Sequence, residues 1–163
     1  SMLRLGKDND FDAVYSIYMH PTVNPYLNFE IMSKEEFLPL FNELTTSGTL
    51  YIYENTDGQV AATCIAERLQ RRCAHIICLT IFATNPNFHR QGIGTKFMHE
   101  LIYELRKDEQ IKRIELYAEA DNEIALKFYK KLGFQVEGCL KGYFKRAKDN
   151  QFVDEIVLAM VFH

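Results

Sequence analysis

Between Cys73 and Leu105 the spacing of apolar residues changes once, and that change limits what the chain can become. Cys73–Thr84 (CAHIICLTIFAT) is the longest apolar run, the pattern of a central strand buried on both faces. Pro86 ends it. After Gly92 the period becomes helical: Ile93, Phe97, Leu101 and Leu105 form one stripe, widened by Met98 and Ile102. A strand that passes through a short turn into an amphipathic helix calls for a sheet with a helix laid upon it.

The remaining segments supply the other layers. Leu3–Leu5 reads as a short strand, and Asp8 or Asp10 is placed to cap a helix carrying Phe11, Val14, Tyr15 and Tyr18. Pro21 stops that helix, and residues 20–32 read as a loop. Ser33 and Glu36 make a capping box for a second helix with Phe37, Phe41 and Leu44 inward and Gly48 as its stop. Pro39 predicts a kink or break within it. Leu50–Glu54 and Gln59–Glu67, joined by Asn-Thr-Asp-Gly, add two strands to a meander. Arg113–Ala118 alternates, with Ile114, Leu116 and Ala118 on one face. Residues 122–132 are helical with Ile124, Ala125, Phe128 and Leu132 inward, and Gly133 is the left-handed stop. Phe134–Val136 and Val153–Phe162 are strand-like, joined by a polar, basic connection. The order β-α-α-β-β-β-α-β-α-β-β predicts an α/β sandwich around a mixed sheet.

With 163 residues, 47% of them hydrophobic, the chain can bury one ordinary core, and residues 2–163 are expected to form a single domain. Ser1, ahead of Met2, is read as a cloning remnant. A net charge of −3 gives no basic footprint, so nucleic acid is not an expected partner. No run approaches a membrane span, and no leader pattern precedes the first strand, so a cytoplasmic location is expected. Cys64, Cys73, Cys78 and Cys139 form no C-x-x-C pair and no histidine pair sits at zinc spacing, so the cysteines read as buried free thiols and no metal is expected.

Chemistry concentrates in Ala83–Thr95 (ATNPNFHRQGIGT). First-turn amides of a helix have no partner within it, and the helix dipole adds partial positive charge there. Gly92 and Gly94 let a phosphate approach the backbone, while His89, Arg90 and Lys96 add donors or charge. The same glycines also suit tight packing of helix on strand. A P-loop is not matched, because Gly92 and Gly94 are too close and no Lys-Ser/Thr pair follows. A dinucleotide fingerprint fails because position 97 is Phe.

A second constellation follows in residues 121–134, DNEIALKFYKKLGF. Together the two resemble the GNAT superfamily of acetyl-CoA-dependent N-acetyltransferases. Thr84-Asn85-Pro86 and His89-Arg90-Gln91-Gly92-Ile93-Gly94 stand where that family has its V-x-P-like segment and [QR]-x-x-G-x-[GA]. The later N-x-x-A-x-x-x-Y-x-x-x-G-F is complete in Asn122, Ala125, Tyr129, Gly133 and Phe134. Two departures stand out: His89 replaces the usual Gln or Arg, and Thr84 the usual β-branched apolar residue. His89 predicts weaker or more pH-dependent cofactor affinity. The tail, with Arg71-Arg72 and His20-Pro21, is similar to the bacterial branch that acetylates the α-amino group of free L-amino acids. Related branches acetylate ribosomal-protein N-termini, and a non-catalytic acyl-CoA-binding module is a third reading.

The resemblance implies a mostly antiparallel central sheet flanked by helices on both faces, and direct acetyl transfer to a small-molecule amine in a ternary complex. It implies that Phe82, Ala83 and Thr84 pair with the pantetheine arm, and that His89, Arg90, Gln91, Gly92, Ile93, Gly94 and Thr95 hold the pyrophosphate. It further implies that Asn122 bonds the cofactor and that Tyr129 protonates the departing thiolate. A phenol (pKa about 10) is a weaker acid than a thiol (about 8.5), so Tyr129 would assist as the carbon–sulfur bond breaks. The base is open: His75, Glu67, Glu119 or a water chain. For the substrate, Tyr26, Phe29 and Tyr143 form a candidate apolar rim, and Arg71, Arg72 or Lys145 a candidate carboxylate partner. The apolar final strand permits a homodimer.

Overall fold

The computed structural model describes residues 2–88 and 92–163. Its elements are β1 (Leu3–Leu5), α1 (Phe11–Tyr18), α2 (Lys34–Ser47), β2 (Leu50–Glu54), β3 (Val60–Arg68), β4 (Ile76–Thr84), α3 (Ile93–Leu105), β5 (Arg113–Glu119), α4 (Glu123–Leu132), β6 (Gln135–Lys145) and β7 (Phe152–Val161). This is the expected order. The strands are hydrogen-bonded in the sequence β1-β2-β3-β4-β5-β7-β6. Only β4–β5 is parallel among the pairings described, so the sheet is mixed and mostly antiparallel. Two compact units follow from the contacts: residues 1–66 with 81–102, and residues 67–80 with 103–163.

The first unit is built on aromatic packing. Val14, Ile17 and Tyr18 of α1 meet Phe37 and Phe41 of α2 over Leu50, Ile52, Val60, Ile65 and Ala83. Phe37 is fully buried, with the rings of Phe11, Tyr15, Tyr18, Phe29 and Phe41 all within 6.1 Å. Alternation sends Tyr53 and Phe82 to the other face of these strands, where their rings pack against Phe97 of α3 at 5.5 and 6.0 Å. Helices therefore cover both faces within this unit.

The capping box of α2 is present: Ser33 Oγ accepts from the Glu36 amide and Glu36 Oε1 from the Ser33 amide, each at 3.1 Å. Ser33→Ala is expected to lower stability by about 1 kcal/mol, read from the urea midpoint. Gly48 ends the helix at φ +68 as expected. Pro39 does not break the helix; α2 runs from Lys34 to Ser47 with Pro39 inside it. Pro39 and Glu35 are both exposed, so water can satisfy the carbonyl that Pro39 leaves without a donor.

Other expectations are corrected. Asp10 does not cap α1 by its side chain; residues Asp8–Asp10 form a 3-10 turn that runs straight into the helix. Its carboxylate accepts instead from the Lys7 amide at 2.8 Å and binds Arg4 at 2.7 and 2.8 Å. Burial alone would raise this carboxyl, but the Arg4 bonds and the Lys7 amide hold it below the usual range. Cys73–His75 is not strand: Arg71–Cys73 makes a 3-10 turn, and β4 starts at Ile76. Nor is β4 buried on both faces, because Ile77 and Leu79 are buried while Ile76, Cys78 and Thr80 are half-buried.

In the second unit β5 pairs with β4 in parallel from Ile76↔Arg113 to Cys78↔Glu115, and with β7 in antiparallel from Arg113↔Val161 to Glu119↔Glu155. Ile114, Leu116 and Ala118 are buried as predicted. The polar connection expected after Val136 is mostly strand: β6 extends to Lys145 and pairs with β7 through two register shifts. Its polar side chains suit an edge strand with an exposed face. In α4 the expected inward Ile124 is 85% exposed, and no residue of that helix is fully buried. Gly133 closes α4 at φ +111. The thiols also depart from expectation: Cys64 is buried and Cys78 half-buried, but Cys73 lies in the exposed turn and Cys139 on exposed β6.

Candidate active site

In the first unit the end of β4 is pinned by Asn85. Its amide donates to the Ala61 carbonyl at 2.8 Å and its Nδ2 to the Val60 carbonyl at 3.0 Å. Its Oδ1 accepts from the Asn87 amide at 3.0 Å, which turns the chain through Pro86–Phe88. Phe82, Ala83 and Thr84 thus arrive as a strand held in place. Just before them Ile81 adopts φ +49. An L-residue enters that region at a cost of about 1–2 kcal/mol, and such strain gathers at functional segments.

The pyrophosphate candidates begin with His89, Arg90 and Gln91, which lie outside the described residues. Gly92 follows at φ +68, and none of the described residues comes within 4 Å of where its Cβ would project. The Lys96 amide donates to the Gly92 carbonyl at 3.1 Å, closing the first turn of α3. Within that turn, the amides of Ile93, Gly94 and Thr95 precede the first residue that can form an intrahelical bond. Thr95 and Lys96 are exposed beside them. Open space at Gly92, first-turn donors and a neighbouring cation together fit a diphosphate. Gly92→Ala would force an L-residue into that conformation at about 1–2 kcal/mol. Taken from binding, this is expected to weaken acetyl-CoA affinity about tenfold by calorimetry.

In the second unit Asn122 caps α4: its Oδ1 accepts from the Ala125 amide at 3.1 Å. The carboxamide oxygen is thus used within the fold, and the NH2 is the part available to a cofactor. Tyr129 is half-buried on α4, its ring 5.4 Å from Phe128 and 6.0 Å from Phe134.

Among the base candidates, His75 and Glu67 are exposed. The His75 carbonyl, not its ring, has the visible task of accepting from the Lys112 and Arg113 amides. Glu119 is different. It is 9% exposed and lies directly opposite Glu155, itself 8% exposed, in the β5–β7 register. Arg146 reaches Glu119 at 3.5 Å, Asp121 at 3.1 Å and Asp149 at 2.9 Å. Among the described residues no donor meets the buried Oε2 of Glu155. Burial first, then Glu119 and Asp121, push the Glu155 carboxyl up to about 7. Burial likewise raises Glu119, against the pull of Arg146. The sequence reading missed Glu155. Its signal was the Asp154-Glu155 pair inside an alternating strand, where two successive acids must take opposite faces. Asp154 takes the outer one, accepting from the Gly142 amide at 2.9 Å and from Lys141 at 3.2 Å.

The Glu155 shift has a thermodynamic sign. Native protein keeps a proton that the unfolded chain loses at about 4.5 and the folded one at about 7. Stability therefore falls as pH rises through that window, and the penalty persists above it. Glu155→Gln is expected to raise Tm more at about pH 8 than at about pH 5, measured by thermal melts.

Of the substrate candidates, Tyr26 is 67% exposed, while Phe29 stacks on Tyr18 at 5.3 Å within the aromatic core. Both belong to the first unit. In the second, Arg71, Arg72 and Lys145 are exposed, and Tyr143 stacks on Tyr117 at 5.7 Å and 10°. Tyr117 shares the strand face of Glu119. Burial, then Glu115 and Glu67, push the Cys78 thiol up to about 12, which makes it a poor nucleophile.

Residues 11–134 match the model of the acetyltransferase (GNAT) family. The chain is 26% identical to the L-amino acid N-acetyltransferase AaaT of Escherichia coli over 162 residues, covering 98% of this chain and 97% of that one. It is 31% identical to N-alpha-acetyltransferase 50 of Danio rerio over 90 residues, 55% of this chain and 53% of the relative. Spermidine N-acetyltransferase from Vibrio cholerae, solved in complex with CoA and spermine, superposes with a TM-score of 0.86 at 15% identity, over 98% of this chain and 94% of that one. Among the described residues no helix is long and apolar enough to cross a membrane, and no cluster suited to a metal ion is found. The matched span contains the strand, glycine turn and helix start described above as well as Asn122 and Tyr129, and the chain belongs to the GNAT family as an N-acetyltransferase that uses acetyl-CoA.

Proposed function

We propose that this enzyme acetylates the α-amino group of a free L-amino acid. The observation that carries the reading is coverage: the similarity to the E. coli L-amino acid N-acetyltransferase spans almost the whole of both chains. The similarity to N-alpha-acetyltransferase 50 of Danio rerio, which fits the alternative of a protein N-terminal acetyltransferase, spans about half of each chain. Side-chain chemistry supports the same choice. Arg71, Arg72 and Lys145 are exposed cations suited to a carboxylate, and the Tyr117–Tyr143 stack offers an aromatic wall.

Acetyl-CoA supplies an activated acetyl thioester. First-turn amides of Ile93, Gly94 and Thr95 would bind its diphosphate, with Gly92 leaving the approach clear. The backbone of Phe82–Thr84 would align the arm by strand addition, and an amide there would polarise the carbonyl. Asn122 would donate from its NH2. Tyr129 would give its proton to the leaving sulfur. Attack is direct, in keeping with the poor nucleophilicity of Cys78.

The test is initial-rate release of coenzyme A with the common L-amino acids, spermidine and an alanine-starting peptide, products checked by mass spectrometry. Turnover of amino acids with an apolar side chain, methionine and phenylalanine among them, is the expected result. Preference for the peptide would replace this reading by the N-terminal one, and preference for spermidine over every amino acid would reject both.

A further inference from the structure

Two ionised carboxylates directly opposite each other in a ladder repel, yet Glu119 and Glu155 hold those positions and both are buried. The groups around Glu155 are few. Glu119 faces it from β5, Leu140 from β6, Asp121 lies beyond the end of β5, and Arg146 comes from the β6–β7 turn. Arg146 is engaged by Asp149, Asp121 and Glu119, and its bonds stop at Glu119. Glu155 Oε2 is left buried with no donor among the described residues. A buried acceptor without a donor is rare in folded proteins and asks for a partner. The surroundings define that partner. A second carboxyl alongside excludes an anion, and a cation carrying N–H groups would satisfy both. An aromatic wall stands two residues away on the same face, at Tyr117 and Tyr143. The Asn122 amide donates to the Glu119 carbonyl at 3.0 Å, so this strand end is tied to the cap of the helix that carries Tyr129.

We propose that Glu155 receives the ammonium group of the acceptor substrate and takes its proton, with Glu119 as the positioning residue beside it. This rests on the amine acetyltransferase activity of the family and not on the choice of a free amino acid. The N–H bond breaks toward Oε2, its electron pair stays on nitrogen, and the proton then passes from Glu155 to water. The neutral amine forms the C–N bond as the C–S bond breaks with its electrons on sulfur. Tyr129 protonates that sulfur, and nitrogen's second surplus proton, passed through water, restores the Tyr129 phenol. One ammonium and one thioester give one amide, one thiol and one proton. A Glu155 carboxyl pushed up to about 7 suits that task, because such a group can both take up and release a proton close to neutrality.

The test uses the full chain with L-phenylalanine and with 2-phenylethylamine, the same amine without its carboxylate. Glu155→Gln keeps the shape and removes the base. It is expected to lower kcat/KM for both by about 100-fold and to abolish the fall in rate on the acid side of neutrality. Acetyl-CoA affinity by calorimetry should stay within about twofold, which a misfolded site would not allow. A second measurement needs no turnover: carbon-13 NMR of glutamate-labelled wild type with coenzyme A bound. The carboxyl titrating near 7 is expected to move to lower pH when 2-phenylethylamine is added, because the cation favours the ionised form. A Glu155→Gln rate within about threefold of wild type with the same pH profile overturns the proposal, as does a titration that the amine leaves unmoved. If wild type acetylates neither amine, both measurements are made with the amine turned over fastest among the amino acids, spermidine and peptide, so the role of Glu155 is decided whichever substrate class is correct.

Discussion

Tyr129→Phe is expected to lower kcat by about 100-fold while acetyl-CoA affinity stays within about twofold. Only the hydroxyl is lost. The ring keeps its packing against Phe128 and Phe134, and its backbone carbonyl keeps the bond from the Phe134 amide at 3.0 Å. A leaving thiolate without a proton donor departs slowly and recaptures the acetyl group. Single-turnover rates with stopped-flow detection of the free thiol separate this from slow product release. A rate equal to wild type would remove Tyr129 from the acid role and leave it as packing between α4 and Phe134. A raised KM with unchanged kcat would instead make it a binding residue.

The largest expected loss of stability is Phe37→Ala, about 3–5 kcal/mol. Phe37 is fully buried and surrounded by five rings from α1, α2 and the loop between them. Those rings cannot close over the gap without breaking their own edge and stacking contacts with each other, so a cavity remains. Urea unfolding by circular dichroism would measure it. A cost near 1 kcal/mol would mean that the cluster repacks and that its aromatic geometry is interchangeable.

Local signals were legible where one residue type has one physical use. Ser33 with Glu36, Gly48 and Gly133 marked helix ends because caps and left-handed φ values are chemically narrow. Asn122 stands at the start of a spaced motif, and the structure shows it capping α4. Errors arose where tertiary context decides. Ile124 looked inward by periodicity, but α4 packs only part of its apolar face. Cys73 looked like strand because apolar residues follow it, yet Arg71 and Arg72 keep that corner in solvent. Glu155 was missed for a different reason: the Asp154-Glu155 pair marks one acid for the inner face, but its character comes from Glu119, 36 positions away in sequence and opposite only once β5 meets β7. Pairing across strands with that separation leaves no trace in local spacing.

The end of β4 has an evolutionary corollary. Ile81 and Ala83 feed the aromatic cluster while Phe82 between them meets Phe97, and Asn85 is itself fastened to β3. An insertion or deletion of one codon here would exchange the two sets of neighbours at a stroke. Length variation among descendants of this gene should therefore gather at the Asn55–Gly58 and Ala147–Asn150 turns, and the segment from Thr80 to Asn85 should drift by substitution alone.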